Sequence, residues 1–158
     1  QEAASAIEEY LSNNKMRKEH VNAHFFNIIT VVGGTDHEGK CYFVYNPNAG
    51  KGLLRPKVSD IVDIFVKAGY EVIIYPTQSY RDAYKKVCEL EEGYQLVVCS
   101  GGDGTIDEVV TGMMQREHKI PIGYIPTGTT NDFANSLHIP KDILMAAHTS
   151  VNRGAVCV

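Results

Sequence analysis

The sequence predicts an α/β fold: a Rossmann-like, mostly parallel sheet with helices on both faces. Two observations carry the prediction. From Lys40 onward, short runs rich in β-branched and aromatic residues alternate with amphipathic stretches of helical period. Most of these runs also end in a cluster of Gly, Asn, Pro or Thr, residues that stop a strand and turn the chain. Parallel strands cannot be joined by a hairpin, so this repetition demands right-handed crossovers with helices covering the sheet.

In chain order, Cys41-Tyr42-Phe43-Val44-Tyr45 reads as a strand, halted by Asn46-Pro47-Asn48-Ala49-Gly50. Val58, Ile61, Val62, Phe65 and Val66 then fall at helical spacing, and Gly69 ends that helix. Glu71-Val72-Ile73-Ile74-Tyr75 is the next strand. Ser79 reads as the cap of an amphipathic segment carrying Ala83, Val87, Cys88 and Leu90. Residues 95–99 form the third strand, 105–114 a helix and 121–125 the fourth strand. Residues 1–39 read as an appendage, helical over 1–11 and 16–25, with a strand at 26–32 and a turn at Gly33-Gly34-Thr35-Asp36. Gly154-Ala155-Val156-Cys157-Val158 reads as a strand with nothing to close it, so a fragment of a longer protein is expected.

A chain of 158 residues fits one domain with an appendage. The hydrophobic share of 44% and charged share of 22% are those of an ordinary globular protein. A formal charge of −4, with no Lys/Arg-rich run, argues against a nucleic-acid partner. Cys41, Cys88, Cys99 and Cys157 lack metal-type pairing, and Cys99 among Leu96, Val97 and Val98 reads as a small buried hydrophobe. A reduced, cytoplasmic setting is the expectation. No apolar stretch approaches the ~20 residues that span a bilayer, so any action on lipid is peripheral. His20 with His24, and His37 with Cys41, share helical spacing but lack further ligands. Arg81, Lys85 and Lys86 read as a solvated helix face, whereas Lys51, Arg55 and Lys57 follow a crevice loop and suit a phosphate.

Open parallel sheets bind ligands outside the carboxyl ends of their strands. Three polar loops fall there: residues 46–52, 100–108 and 126–134. In the second, Gly101, Gly102 and Gly104 surround Asp103, permitting positive φ and close backbone approach. The helix start behind them favours phosphate oxygens. Asp103 would repel a bare phosphate but suits a site holding Mg²⁺ or its water shell; the alternative is a tight turn in which it bonds its own backbone. Thr105 and Glu108 have the spacing of a capping box. The third loop adds the hydroxyls of Thr127, Thr129 and Thr130, the permissive Gly128, an Asn131-Asp132 helix cap and a second carboxylate, Asp132. Gly50-Lys51-Gly52 is not a Walker loop, and Gly102-Asp103-Gly104 lacks the third dinucleotide-binding glycine.

Taken together, Asn46-Pro47-Asn48-Ala49-Gly50-Lys51, Gly101-Gly102-Asp103-Gly104-Thr105 and Pro126-Thr127-Gly128-Thr129-Thr130-Asn131-Asp132-Phe133-Ala134 resemble the diacylglycerol kinase catalytic-domain family. The flavour is that of its soluble bacterial lipid-kinase branch. The Gly-Gly-Asp-Gly turn alone is shared with NAD kinases and phosphofructokinases, but three motifs in this order are specific. The resemblance runs from about Lys40 to the end. It implies an NAD kinase/diacylglycerol kinase-like N-terminal domain over 40–158, with the following β-rich domain missing and the active site between the two.

The activity implied is ATP-dependent phosphorylation of a lipid hydroxyl, such as that of diacylglycerol, with Mg²⁺, at a transiently bound membrane surface. A homodimer stays open. Asn46, Pro47, Asn48, Ala49, Gly50 and Lys51 would line the nucleotide site, with Thr77 near the nucleotide. Gly101, Gly102, Asp103, Gly104 and Thr105 would cradle phosphates, and Thr129 would complete the pocket. Asp103 and Asp132 would order Mg²⁺ through water. Where the family often has asparagine, this chain has Asp107, which can only accept hydrogen bonds. The family's acceptor-positioning carboxylate lies in a Gly-x-Asp-Gly-Glu motif, and no such motif follows Asp132. This chain is therefore expected to bind nucleotide without catalysis. An NAD-kinase-like enzyme and a non-catalytic nucleotide-binding regulatory module are the alternatives.

Overall fold

A computed structural model of the chain describes residues 39–152. The helices and strand expected within 1–38, His20, His24 and His37, and the terminal strand with Cys157 lie outside the described residues. Four strands, β1 (Gly39–Tyr45), β2 (Tyr70–Pro76), β3 (Tyr94–Gly101) and β4 (Ile122–Pro126), form one parallel sheet in the order β2-β1-β3-β4. Among the described residues, five α-helices accompany them, α1 (Val58–Lys67), α2 (Asp82–Cys88), α3 (Asp103–Gln115), α4 (Asp132–Ser136) and α5 (Ile143–Val151), with short 3-10 helices at Ala49–Gly52 and Arg55–Lys57. The expected α/β class, with helices on both faces of the sheet, is what the chain adopts.

The strand period of two divides the core into two layers. Cys41, Phe43, Leu96 and Val98 meet Ile61 and Phe65 of α1 and Ala146, Ala147 and Val151 of α5. Tyr42, Val44, Val97 and Cys99 meet Ala83 and Val87 of α2 and Ile106, Val109 and Met113 of α3. Double coverage explains why β1 and β3 read as nearly continuous apolar runs. Phe43 and Phe65, both fully buried, lie edge to face at 5.6 Å. Burying each ring is worth about 1.5–3 kcal/mol.

The topology fixes the crevice. The β1-to-β2 crossover runs one way along the sheet and the later crossovers run the other way. Right-handed connections then set α1 and α2 on opposite faces. The order reverses between β1 and β3, and outside their carboxyl ends the loops diverge to leave a cleft. No helix among the described residues is long and apolar enough to cross a membrane.

Two expected helix starts are corrected. Ser79 does not cap α2, which begins at Asp82 behind Arg81 in the left-handed conformation (φ 60°). The Asp82 carboxylate reaches back instead, accepting the Gln78 N–H at 2.7 Å and the Tyr75 hydroxyl at 3.0 Å. The Thr105–Glu108 capping box also does not form, because α3 starts two residues earlier with Gly102 at its N-cap. Thr105 is then buried in the first turn, and Glu108 Oε1 accepts the Arg81 N–H at 2.9 Å.

Candidate functional site

The loops after β1, β3 and β4 are locked together by backbone. Asn46 N–H donates to Ser100 O at 2.9 Å, and Thr127 N–H donates to Gly101 O at 2.9 Å. Beneath them the buried Ser100 hydroxyl donates to Ile125 O at 3.0 Å and lies 3.3 Å from Thr127 Oγ1. Tyr124 donates its hydroxyl to Gly101 O at 3.0 Å. Burial pushes the Tyr124 hydroxyl well above its usual pKa, with Cys99 and Asp103 adding to the effect, so it remains a donor. Burial likewise raises the Cys99 thiol, which is inert packing.

The glycines of this region divide by what a Cβ would meet. At Gly128 it would lie 2.4 Å from Gly102 Cα, so the two loops cross in backbone contact. At Gly101 it would lie 2.4 Å from Thr105 Oγ1, and at Gly50 2.1 Å from Thr127 O. At Gly104 it would meet nothing within 4 Å. The expectation of positive φ around Asp103 is corrected: Gly102 is extended (φ −88°), and neither Gly101 nor Gly104 is left-handed. Close approach, the other half of that expectation, is what Gly101 and Gly128 serve; a Cβ at Gly102 would meet only Gly128 Cα, at an ordinary 3.4 Å. The left-handed run falls in the first loop, at Gly50, Lys51 and Gly52 (φ 55°, 60° and 80°).

Asp103 does not bond its own turn. Its Oδ2 accepts the Asp132 N–H at 3.0 Å and its Oδ1 the Phe133 N–H at 3.1 Å, capping α4 from the neighbouring loop. The expected Asn131-Asp132 cap is thereby corrected. Asn131 instead closes on Gly128, accepting its N–H at 2.9 Å and donating to its carbonyl at 2.8 Å. A carboxylate has about four acceptor sites, so two remain on Asp103 for a water. Among the described residues, no three His, Cys, Asp or Glu side chains are grouped to hold a metal directly. A divalent ion beside Asp103 would therefore have to be held through water and ligand oxygens, not through a protein cage.

The cleft has a volume of ≈ 570 Å³, within the range of small-molecule sites. It gathers nine expected residues: Asn46, Asn48, Ala49, Gly50, Thr77, Gly102, Gly104, Thr105 and Thr129. Pro47, Lys51, Gly101, Asp103 and Asp132 stand outside its lining. Pro47 instead offers its carbonyl to Arg55 Nε at 3.1 Å, and Arg55 Nη2 donates to Asn48 Oδ1 at 3.4 Å. Arg55 thus braces the first loop. Of the residues expected on a solvated helix face, Arg81 lies 4.4 Å over the Tyr84 ring and Lys86 4.9 Å over Tyr75.

Gln78, Ser79 and Tyr80 also line the cleft and were not expected there, whereas Glu108 lines it from the expected 100–108 loop. Glu108 is four residues after Gly104, one turn along the same helix face, which turns both toward the cleft. Nothing in the sequence marks Tyr80. Among the described residues, the lining carries the carboxylates of Asp107 and Glu108 and no lysine or arginine. Its anion-attracting end is the start of the 13-residue α3, at Gly102 and Gly104.

Comparison with known proteins gives a consistent answer. The family model for the diacylglycerol kinase catalytic domain matches residues 40–156. A diacylglycerol kinase of Staphylococcus carnosus is 39% identical over 116 residues, which cover 73% of this chain and 38% of that protein. One from Staphylococcus saprophyticus is 38% identical over 104 residues, covering 65% of this chain and 34% of the relative. A crystal structure of a diacylglycerol kinase from Bacillus anthracis superimposes with a TM-score of 0.63 at 34% identity, over 69% of this chain and 40% of that one. The chain thus spans little more than a third of the length of the curated relatives it matches.

Proposed function

The chain belongs to the diacylglycerol kinase catalytic-domain family, and from that premise we propose that its α/β domain is the nucleotide-binding part of an ATP- and Mg²⁺-dependent lipid kinase. The observation that carries the reading is Gly104. It lies in the first turn of α3, where glycine is a poor helix former, and no protein atom requires it. Its missing Cβ leaves cleft space at the positive end of the helix, where phosphate oxygens can reach backbone N–H groups.

Charge orients the ligand. The triphosphate lies toward Gly102, Gly104 and Thr129, and the nucleoside toward Thr77, Asp107 and Glu108, whose carboxylates repel phosphate and accept from sugar or base donors. Asp103 and Asp132 would hold Mg²⁺ through water, and the ion would supply the charge neutralisation that phosphoryl transfer needs. The acceptor is a lipid hydroxyl such as that of diacylglycerol, met at a membrane surface. Residues 133–158 hold no Gly-x-Asp-Gly-Glu motif to position the acceptor, and on this reading the chain by itself binds nucleotide without turnover.

Calorimetric titration with Mg-ATP tests the reading. The native chain should bind, and Gly104→Val, checked for folding by circular dichroism, should not. No binding by the native chain, or equal affinity in the variant, would overturn it.

A further inference from the structure

We propose that Tyr80 is the stacking platform for the nucleobase in this cleft, an inference that rests on the nucleotide reading above. Tyr80 is the one aromatic side chain among the described residues lining the cleft, and 85% of its surface is exposed. Its neighbours are otherwise engaged: Tyr75 stacks on Tyr42 at 6.3 Å, and Tyr84 lies under the Arg81 guanidinium. Tyr80 is left to the solvent at the cleft rim.

The backbone presents this ring in a fixed place. On one side of Tyr80, Gln78 donates its N–H to Asp82 at 2.7 Å. On the other, Arg81 donates its N–H to Glu108 at 2.9 Å while held left-handed, a conformation that residues with a Cβ seldom adopt. This two-sided tether, which also sets the start of α2, holds the backbone at Tyr80 from both sides. Charge places the base at this end, because the phosphates are drawn to the start of α3 and repelled by Asp107 and Glu108. An aromatic face serves any base, since every base presents a π-face.

The chain contains no tryptophan, so Tyr80→Trp introduces a single indole as a reporter. Its fluorescence should quench with Mg-ATP and stay unchanged with Mg-tripolyphosphate, which has no base. By calorimetry, Tyr80→Ala should weaken Mg-ATP about ten-fold or more, whereas Tyr80→Phe should stay within about two-fold, because the ring carries the contact. Equal Mg-ATP affinity in Tyr80→Ala and native protein overturns this inference and leaves the nucleotide reading standing. Failure of the native chain to bind Mg-ATP overturns both.

Discussion

Replacing Gly104 with alanine should move stability and binding in opposite directions. The residue is helical, at the second position of α3, and a Cβ there meets no atom within 4 Å. The substitution therefore reduces the freedom of the unfolded chain without a clash, worth about 0.4–1 kcal/mol of stability. For a chain of this size that raises Tm by roughly 1–4 °C. The same methyl projects into the cleft, where a phosphate oxygen would have to come within about 2.9 Å of a backbone N–H. Losing one charge-assisted hydrogen bond costs about 1.5–3 kcal/mol, a weakening of roughly ten- to 150-fold. Differential scanning fluorimetry reads the first effect and calorimetry with Mg-ATP the second. A variant that is stabilised yet binds Mg-ATP as tightly as the native chain would show that the phosphates do not approach Gly104. A destabilised variant would show that the glycine has a structural task that the contacts around it do not reveal.

The other substitutions separate structure from ligand. Gly128→Ala drives a Cβ to 2.4 Å from Gly102 Cα, so urea melts should show about 1–3 kcal/mol of destabilisation. Asp103→Ala removes the acceptor of two N–H groups at the start of α4 and should cost about 1–2 kcal/mol even without nucleotide, read by the same melts. Burial pushes the Cys41 thiol from its usual value of 9.0 up to about 12, and the Tyr42 hydroxyl from 10.0 to about 12. Both raised values favour the neutral form in the folded state. Their stabilisation is complete below about pH 9 and lost progressively from there toward pH 12, so urea midpoints should fall across that window. At pH 8 a thiol reagent should modify the half-buried Cys88 and spare Cys41 and Cys99 until the protein is unfolded.

The fold was legible because its signal is periodic. Strands buried on both faces, such as β1 and β3, print continuous apolar runs, and α1 prints Ile61 and Phe65 one turn apart. Eight of the nine cleft residues fall in loops that were legible because loops after parallel strands have a known side of the sheet to occupy, whereas Thr77 came only with the family resemblance. Hydrogen-bond partners were not legible. Thr105 and Glu108 have capping-box spacing, yet Glu108 serves Arg81, 27 positions earlier. Asp103 sits in a turn that could close on itself, yet it bonds α4, about 30 positions later. Local spacing ranks local partners, whereas a long-range acceptor is decided by which loops the sheet order makes neighbours.

That distinction alters how the Gly-Gly-Asp-Gly turn should be read. Its residues look like one phosphate-binding unit in sequence, but the structure distributes their tasks. Gly101 makes room for Thr105, the Gly102 backbone is crossed by Gly128 of the loop after β4, and Asp103 holds the start of α4. Losing any of these would disturb the cleft by displacing a neighbouring loop, and reduced binding would follow whether or not the residue touches nucleotide. A Cβ at Gly102 would meet Gly128 Cα at an ordinary 3.4 Å, and one at Gly104 would meet no protein atom within 4 Å. A substitution there is the one within the turn whose effect on binding can be assigned to the ligand, because its effect on folding has the opposite sign.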